Sequence, residues 1–248
     1  MLLRQITKNL KSQNWAAVFL DLAIVVLGIF LGLQVSQWYE HQQEKELESS
    51  ILERLRAEFE VRAAEAAGAI QFHQDEITSL NLLLQSLETG SFDETKSIQI
   101  REGLQNAMGY DLGPSRSGTY IEILSSGQFR LLRDQQLRSA LSLYDDLVAK
   151  ATLLFSNFQQ NQRKHESVFY RYVNRGPTRE IELRGSPTGV GFMHGEISEL
   201  DFEAMASDAE FLEVLERLVE YHTNFQFWHS NINRSANQVV DLLKAGSS

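Results

Sequence analysis

Residues 16–35, AAVFLDLAIVVLGIFLGLQV, carry one charge, Asp21, among nearly uninterrupted apolar side chains. At ~1.5 Å per residue the run reaches about 30 Å, the thickness of the hydrocarbon core of a bilayer, and it predicts one transmembrane anchor over residues 15–38. Trp15 at one end and Trp38 with Tyr39 at the other are amphipathic rings that settle at headgroup level, so they mark the two membrane borders. Residues 1–14 hold Arg4, Lys8 and Lys11 and no acid, whereas YEHQQEKE at 39–46 is net acidic. The Lys/Arg bias predicts a cytoplasmic tail over 1–14 and an exported domain over 39–248. In a bacterium that places the anchor in the inner membrane and the domain in the periplasm. A cleaved signal peptide fits less well, because the run exceeds the usual ~7–15-residue apolar region and QVSQW offers no small-residue cleavage site.

Removing Arg4, Lys8, Lys11 and Asp21 from the totals of 23 basic and 33 acidic residues leaves the exported part with 20 against 32, a net charge of −12. Such a domain is poorly suited to nucleic acid and is repelled by an anionic lipid surface. The chain has no cysteine, so disulfides, thiolate metal sites and cysteine catalysis are excluded. Only Pro114, Pro177 and Pro187 occur, all where the helical pattern already breaks, which predicts an all-α domain.

Helical spacing defines three long seams. The first runs from Leu47 through Ile51, Leu55, Phe59, Ala66, Ile70, Ile77, Leu80 and Leu84 to Leu87, and the transmembrane helix is expected to continue into it as a stalk ending at Gly90. The second starts at an Asp134 cap and passes through Leu137, Leu141, Tyr144, Val148, Ala151, Phe155, Phe158, Gln162, His165 and Phe169 to Tyr172 before Gly176-Pro177. The third follows a capping box at Ser207-Asp208-Ala209-Glu210 and runs Phe211, Leu215, Leu218, His222, Phe225, His229, Ile232, Ala236, Val239, Leu243. Two short helices, from Ser91-Phe92-Asp93-Glu94 to about Met108 and from Ser117 to Ser126, complete the pattern, with a turn at Asp111–Ser115. Residues 177–206, with four glycines and two prolines, read as an irregular loop with a short strand near Ile181–Leu183. The expected architecture is a membrane helix continuing into an extended antiparallel bundle of three long and two short helices, with coiled-coil-like seams.

Asp21, Val25, Gly28, Gly32 and Ser36 share one face of the anchor by helical spacing. An intramembrane carboxylate is costly and favours a partner, and Gly28-x-x-x-Gly32 permits close approach of another helix. The face is expected to contact a second copy of the chain, or a span of another single-pass or polytopic membrane protein. His73, His165, His222 and His229 fall on or beside the seams. No E-x-x-H or H-x-x-x-H pair occurs, and His222 and His229, seven residues apart, stand about 10 Å from each other on a helix, too far to share an ion. They are expected as core histidines bonded to a neighbour such as Gln162 or a glutamate. Gly189-Val190-Gly191 lacks the third glycine and the βαβ setting of a dinucleotide fingerprint, and Ser125-Ser126-Gly127 is no nucleophile elbow. No catalytic, cofactor or metal residue is therefore assigned. Asn233-Arg234-Ser235 matches a glycosylation sequon by chance within a helix.

Asp21-Leu22, Val26-Leu27-Gly28-Ile29, Leu33-Gln34-Val35 and Trp38, followed by TYIEILSSGQFRLL at 119–132 and Leu137-Arg138-Ser139-Ala140-Leu141, resemble two recurring blocks of an uncharacterised bacterial family of single-pass membrane proteins. That family carries an acidic residue early in its anchor, usually Glu, and an LQ-[IV]-x-x-W motif at its end; here Asp21 replaces the Glu, and Val35-Ser36-Gln37 stands for Ile-Asn-Asn. The resemblance implies a helical single-pass membrane protein, no activity, and a role for Asp21, Gln34 and Trp38. Together these readings favour a non-enzymatic scaffold or assembly factor that binds another membrane or periplasmic protein. The alternative is a ligand-sensing helical bundle acting through a partner subunit.

Overall fold

The computed structural model describes residues 15–91, 94–109, 113–174, 176–177, 179–182, 190–193, 197 and 200–246. The basic tail at 1–14, Phe92-Asp93, Asp111-Leu112 and most of the glycine-rich stretch between 183 and 199 lie outside the described residues. Seven α-helices are described: α1 (Trp15–Thr89), α2 (Glu94–Asn106), α3 (Gly118–Ser125), α4 (Gln135–Arg163), α5 (Glu166–Phe169), α6 (Phe202–Ser207) and α7 (Ala209–Ala245). A 3-10 turn covers Gln128–Leu131. The fold is helical, and α1 is the one helix among the described residues long and apolar enough to cross a membrane.

The strand expected near Ile181–Leu183 lies at β1 (Arg179–Glu182), one to two residues earlier. It pairs antiparallel with β2 (Val190–Met193), Arg179 opposite Met193 and Glu182 opposite Val190. The second strand and α6 were not foreseen in the 177–206 loop. Too few residues of either carry a period long enough to read.

The chain divides into two compact units, residues 1–52 and 53–248. In the first, α1 is helical throughout its described part and none of its most apolar window is buried inside the chain. In the second, the remaining turns of α1 end at Thr89, where Gly90 takes φ 65° and so supplies the left-handed residue that closes the helix.

Three contacts give the directions of the long helices in the second unit. Phe59 of α1 meets Tyr144 early in α4, with ring centroids 4.8 Å apart. Further along, Phe155 of α4 meets Phe225 of α7 at 4.8 Å and His73 of α1 meets His222 of α7 at 5.2 Å. Leu83 and Leu87 then share a cluster with Phe211 and Val214 at the start of α7. Residue numbers rise together along α1 and α4 and fall along α7, so α7 runs antiparallel to both. Every residue of the α7 seam is buried, and so are all the α4 seam residues up to Gln162 except the half-buried Phe158.

Two helix boundaries differ from the sequence reading. The α4 seam was expected to continue through His165 and Phe169 to Tyr172, but α4 ends at Arg163, a turn follows, and α5 restarts at Glu166. The turn swings the fully buried Phe169 into the cluster with Phe211, a tertiary gain the unbroken local spacing does not reveal. The α7 cap is Asp208, whose carboxylate accepts from the Glu210 and Phe211 N–H groups, while Ser207 sits inside α6 and donates to the Glu203 carbonyl. The Asp134 cap on α4 is present as expected, and Ser117, read as the start of the short helix, stands just before it as the cap of α3.

On α1 the buried face departs from the expected seam: Leu47 is exposed and Ile70, Ile77 and Leu84 are half-buried, while Glu76, Ser79, Leu83 and Ser86 are buried. The cause of the added burial is α2, which returns along α1 so closely that a Cβ placed on Gly103 would stand 2.3 Å from the Ser79 Cβ. Only glycine fits that crossing.

Candidate functional site

The predicted interface face of α1 is open. No atom lies within 4 Å of a Cβ built on Gly28 or Gly32, Val25 is 57% exposed, and Ser36 Oγ donates to Glu40 Oε1 at 3.4 Å within the same helix. Trp38 and Tyr39 are exposed beside it. The backbone is helical at Trp15 and Asp21, whose side chains lie outside what the structure describes.

A second polar feature, in the core of residues 53–248, joins groups that the sequence placed only on separate seams. His73 and His222, each 2% exposed, bring their Nδ1 atoms to 2.9 Å. His222 Nε2 lies 3.1 Å from the Ala107 carbonyl, which follows the end of α2, and Gln162 Nε2 donates to the same oxygen at 3.0 Å. Two donors from α7 and α4 thus meet one carbonyl left free by the end of α2. Phe225 and His229 stack on His73 at 5.2 and 5.6 Å, and Phe155 closes on His229 edge-on at 5.1 Å. His165 stands apart, in the turn after α4. Gln162 was expected to bond a histidine; instead both bond Ala107. Among the described residues no three His, Cys, Asp or Glu side chains are placed to hold a metal ion.

Glu76, one turn beyond His73, is 4% exposed, and its Oε2 has no hydrogen-bond partner among the described residues. Burial pushes its carboxyl up to about 8 against the opposing bond from Asn106, and the neighbouring Asp75 charge adds to the rise. Sequence reading passed over it because it lies beside the apolar seam. Its i,i+3 spacing from His73 was the available signal.

Glu58 shows the opposite balance. Burial pushes its carboxyl up, but the N–H groups of Gly118 and Thr119, at 2.8 and 3.1 Å, and the Thr119 and Ser117 hydroxyls hold it below its ordinary value. A side chain of α1 therefore caps the N-terminus of α3, where the helix dipole favours a negative charge. Arg62 bonds both Glu58 and Glu65 at 3.2 Å, Arg54 pairs with Glu122, and Arg116 grips both Asp145 oxygens at 2.7 and 2.6 Å.

No family model, curated protein or solved structure matches this chain.

Proposed function

We propose that the chain is a membrane-anchored, non-enzymatic scaffold or assembly factor, a single span followed by an antiparallel helical bundle, that docks another membrane or periplasmic protein. The observation that carries this reading is the wholly uncovered apolar window of α1 with its open Gly28–Gly32 face. An apolar surface of that size is unfavourable in water and calls for a bilayer around it and a helix against its small residues. The Arg4, Lys8 and Lys11 bias supports a cytoplasmic N-terminus and a periplasmic domain. The resemblance of the anchor and the 119–141 block to single-pass membrane proteins supports the same topology. The non-enzymatic part of the reading is supported by how the best-held carboxylates are used: Glu58 and Asp208 serve helix N-termini, and Asp145 binds Arg116.

The test is cross-linking in the native membrane from a photo-reactive residue at Gly28 or Gly32, with a mild-detergent pull-down of wild type and Asp21→Leu. A partner span trapped at Gly28 or Gly32, and lost in Asp21→Leu, is the expected result. A clean monomer at both positions with an unchanged partner list would remove the span from the interface.

A further inference from the structure

A cavity of about 260 Å³ lies between α1, α4, α7 and the Gly113–Ser115 turn. Of its lining residues Glu65 and Ser115 are exposed and mark its mouth, while Ala66, Tyr144 and Ile232 are buried and line its floor together with the ring of His229. A dry cavity of about 150 Å³ takes benzene, so this one has room for about ten non-hydrogen atoms. Arg62 stands in the wall. Its terminal nitrogens are committed, Nη1 donating to Glu65 at 3.2 Å and Nη2 to Glu58 at 3.2 Å and to the Arg116 carbonyl at 3.3 Å. Its Nε is buried and has no hydrogen-bond partner among the described residues. A donor held in that state costs free energy, and an acceptor brought to it recovers the loss.

We infer that this cavity binds a small uncharged organic molecule of about ten non-hydrogen atoms, with a carbonyl-type oxygen on Arg62 Nε and an apolar body over Ala66 and Ile232. Charge selects the class. Glu58 and Glu65 outnumber the one guanidinium they share, so an anion is repelled, and a cation meets an N–H that can only donate. An uncharged acceptor faces neither cost. Water fits the donor but not the floor, because each buried water needs about two to four polar partners, whereas alkyl and ring carbon make up most of that surface. The Tyr144 hydroxyl is already donated to the Ser115 carbonyl at 3.2 Å, which fixes the aromatic wall and holds the turn over the cavity. The site lies within residues 53–248, so it does not depend on the span being an interface.

The experiment titrates the full chain in nanodiscs with ring-matched probes, cycloheptanone, cycloheptanecarboxylate and cycloheptylamine, following the ¹³C methyl NMR signals of Ala66, Ala69 and Ile232. Cycloheptanone should shift these methyl signals saturably, with a Kd of about 1 mM or tighter. The two charged probes should bind about tenfold more weakly or worse. Ala69→Leu, which puts a larger side chain into the same wall, should weaken cycloheptanone by about tenfold or more. No saturable shift with cycloheptanone in the wild type would overturn the site. Carboxylate or amine binding as tight as that of the ketone would overturn the uncharged class, and equal ketone affinity in Ala69→Leu would place the probe outside the cavity. The wild-type titrations stand even if Ala69→Leu folds poorly.

Discussion

Glu76 is a carboxylic acid held in the core, one oxygen without a hydrogen-bond partner among the described residues, and this gives the fold a pH dependence of unusual sign. Its folded value of about 8 lies above the ordinary 4.5, so the folded chain keeps a proton that the unfolded chain loses. The stability it supports is complete below about pH 4.5 and is lost as pH rises through about 8. Glu76→Gln should flatten that limb, removing up to about 1.4 kcal/mol of stability change per pH unit between 5 and 8. Urea unfolding at half-unit pH steps measures it, and equal slopes in the two proteins would contradict the protonated Glu76. Residue types and spacing showed that His73, His222 and His229 lie on seams. They could not show that two of them, 149 positions apart, face each other nitrogen to nitrogen.

At the scale of elements, helix faces were legible and helix contacts were not. The α7 seam could be read through ten positions because its residues, all buried, repeat at steps of three and four; Val214, Ser235 and Val240 widen the buried face beside it. The break at Arg163 was invisible, since the same steps run on through His165 and Phe169 with no glycine or proline to mark the turn. The packing of α2 on α1 was also invisible, because it depends on a glycine in α2 meeting a serine in α1. Two glycines test the difference. Gly103→Ala forces a methyl group into the Ser79 Cβ and should destabilise by about 1–3 kcal/mol. Gly68→Ala, mid-helix on α1 with nothing within 4 Å, should stabilise by about 0.5–1 kcal/mol through helix propensity alone. Thermal melts of the two variants should shift in opposite directions; a harmless Gly103→Ala would mean that α2 does not approach α1 so closely.

For the molecule as a whole, the proposed membrane residence rests on the apolar window of α1. Leu27→Arg places a charge at the middle of the span, which costs about 2.5–3.5 kcal/mol on insertion scales. It should move a measurable share of the protein out of the alkali-resistant membrane fraction, while Leu143→Arg, on an exposed face of α4, should leave the distribution unchanged. Equal fractionation of wild type and Leu27→Arg would argue against a spanning helix. With no cysteine to cross-link it, the fold of residues 53–248 depends on packing and on ties such as Glu58 to α3 and Asn233 Nδ2 to the Ala63 carbonyl at 2.7 Å. By itself the sequence determined the helical class, the apolar run, the seam of α7, most of the seams of α1 and α4, and the Asp134 cap. Each is a local pattern, written in residues a turn or two apart. Only the tertiary structure decided which polar groups share the core, where α4 stops, why position 103 must be glycine and that Glu76 is buried. Helical periodicity specifies the face a residue occupies, whereas the group opposite it comes from a distant part of the chain and is set by packing.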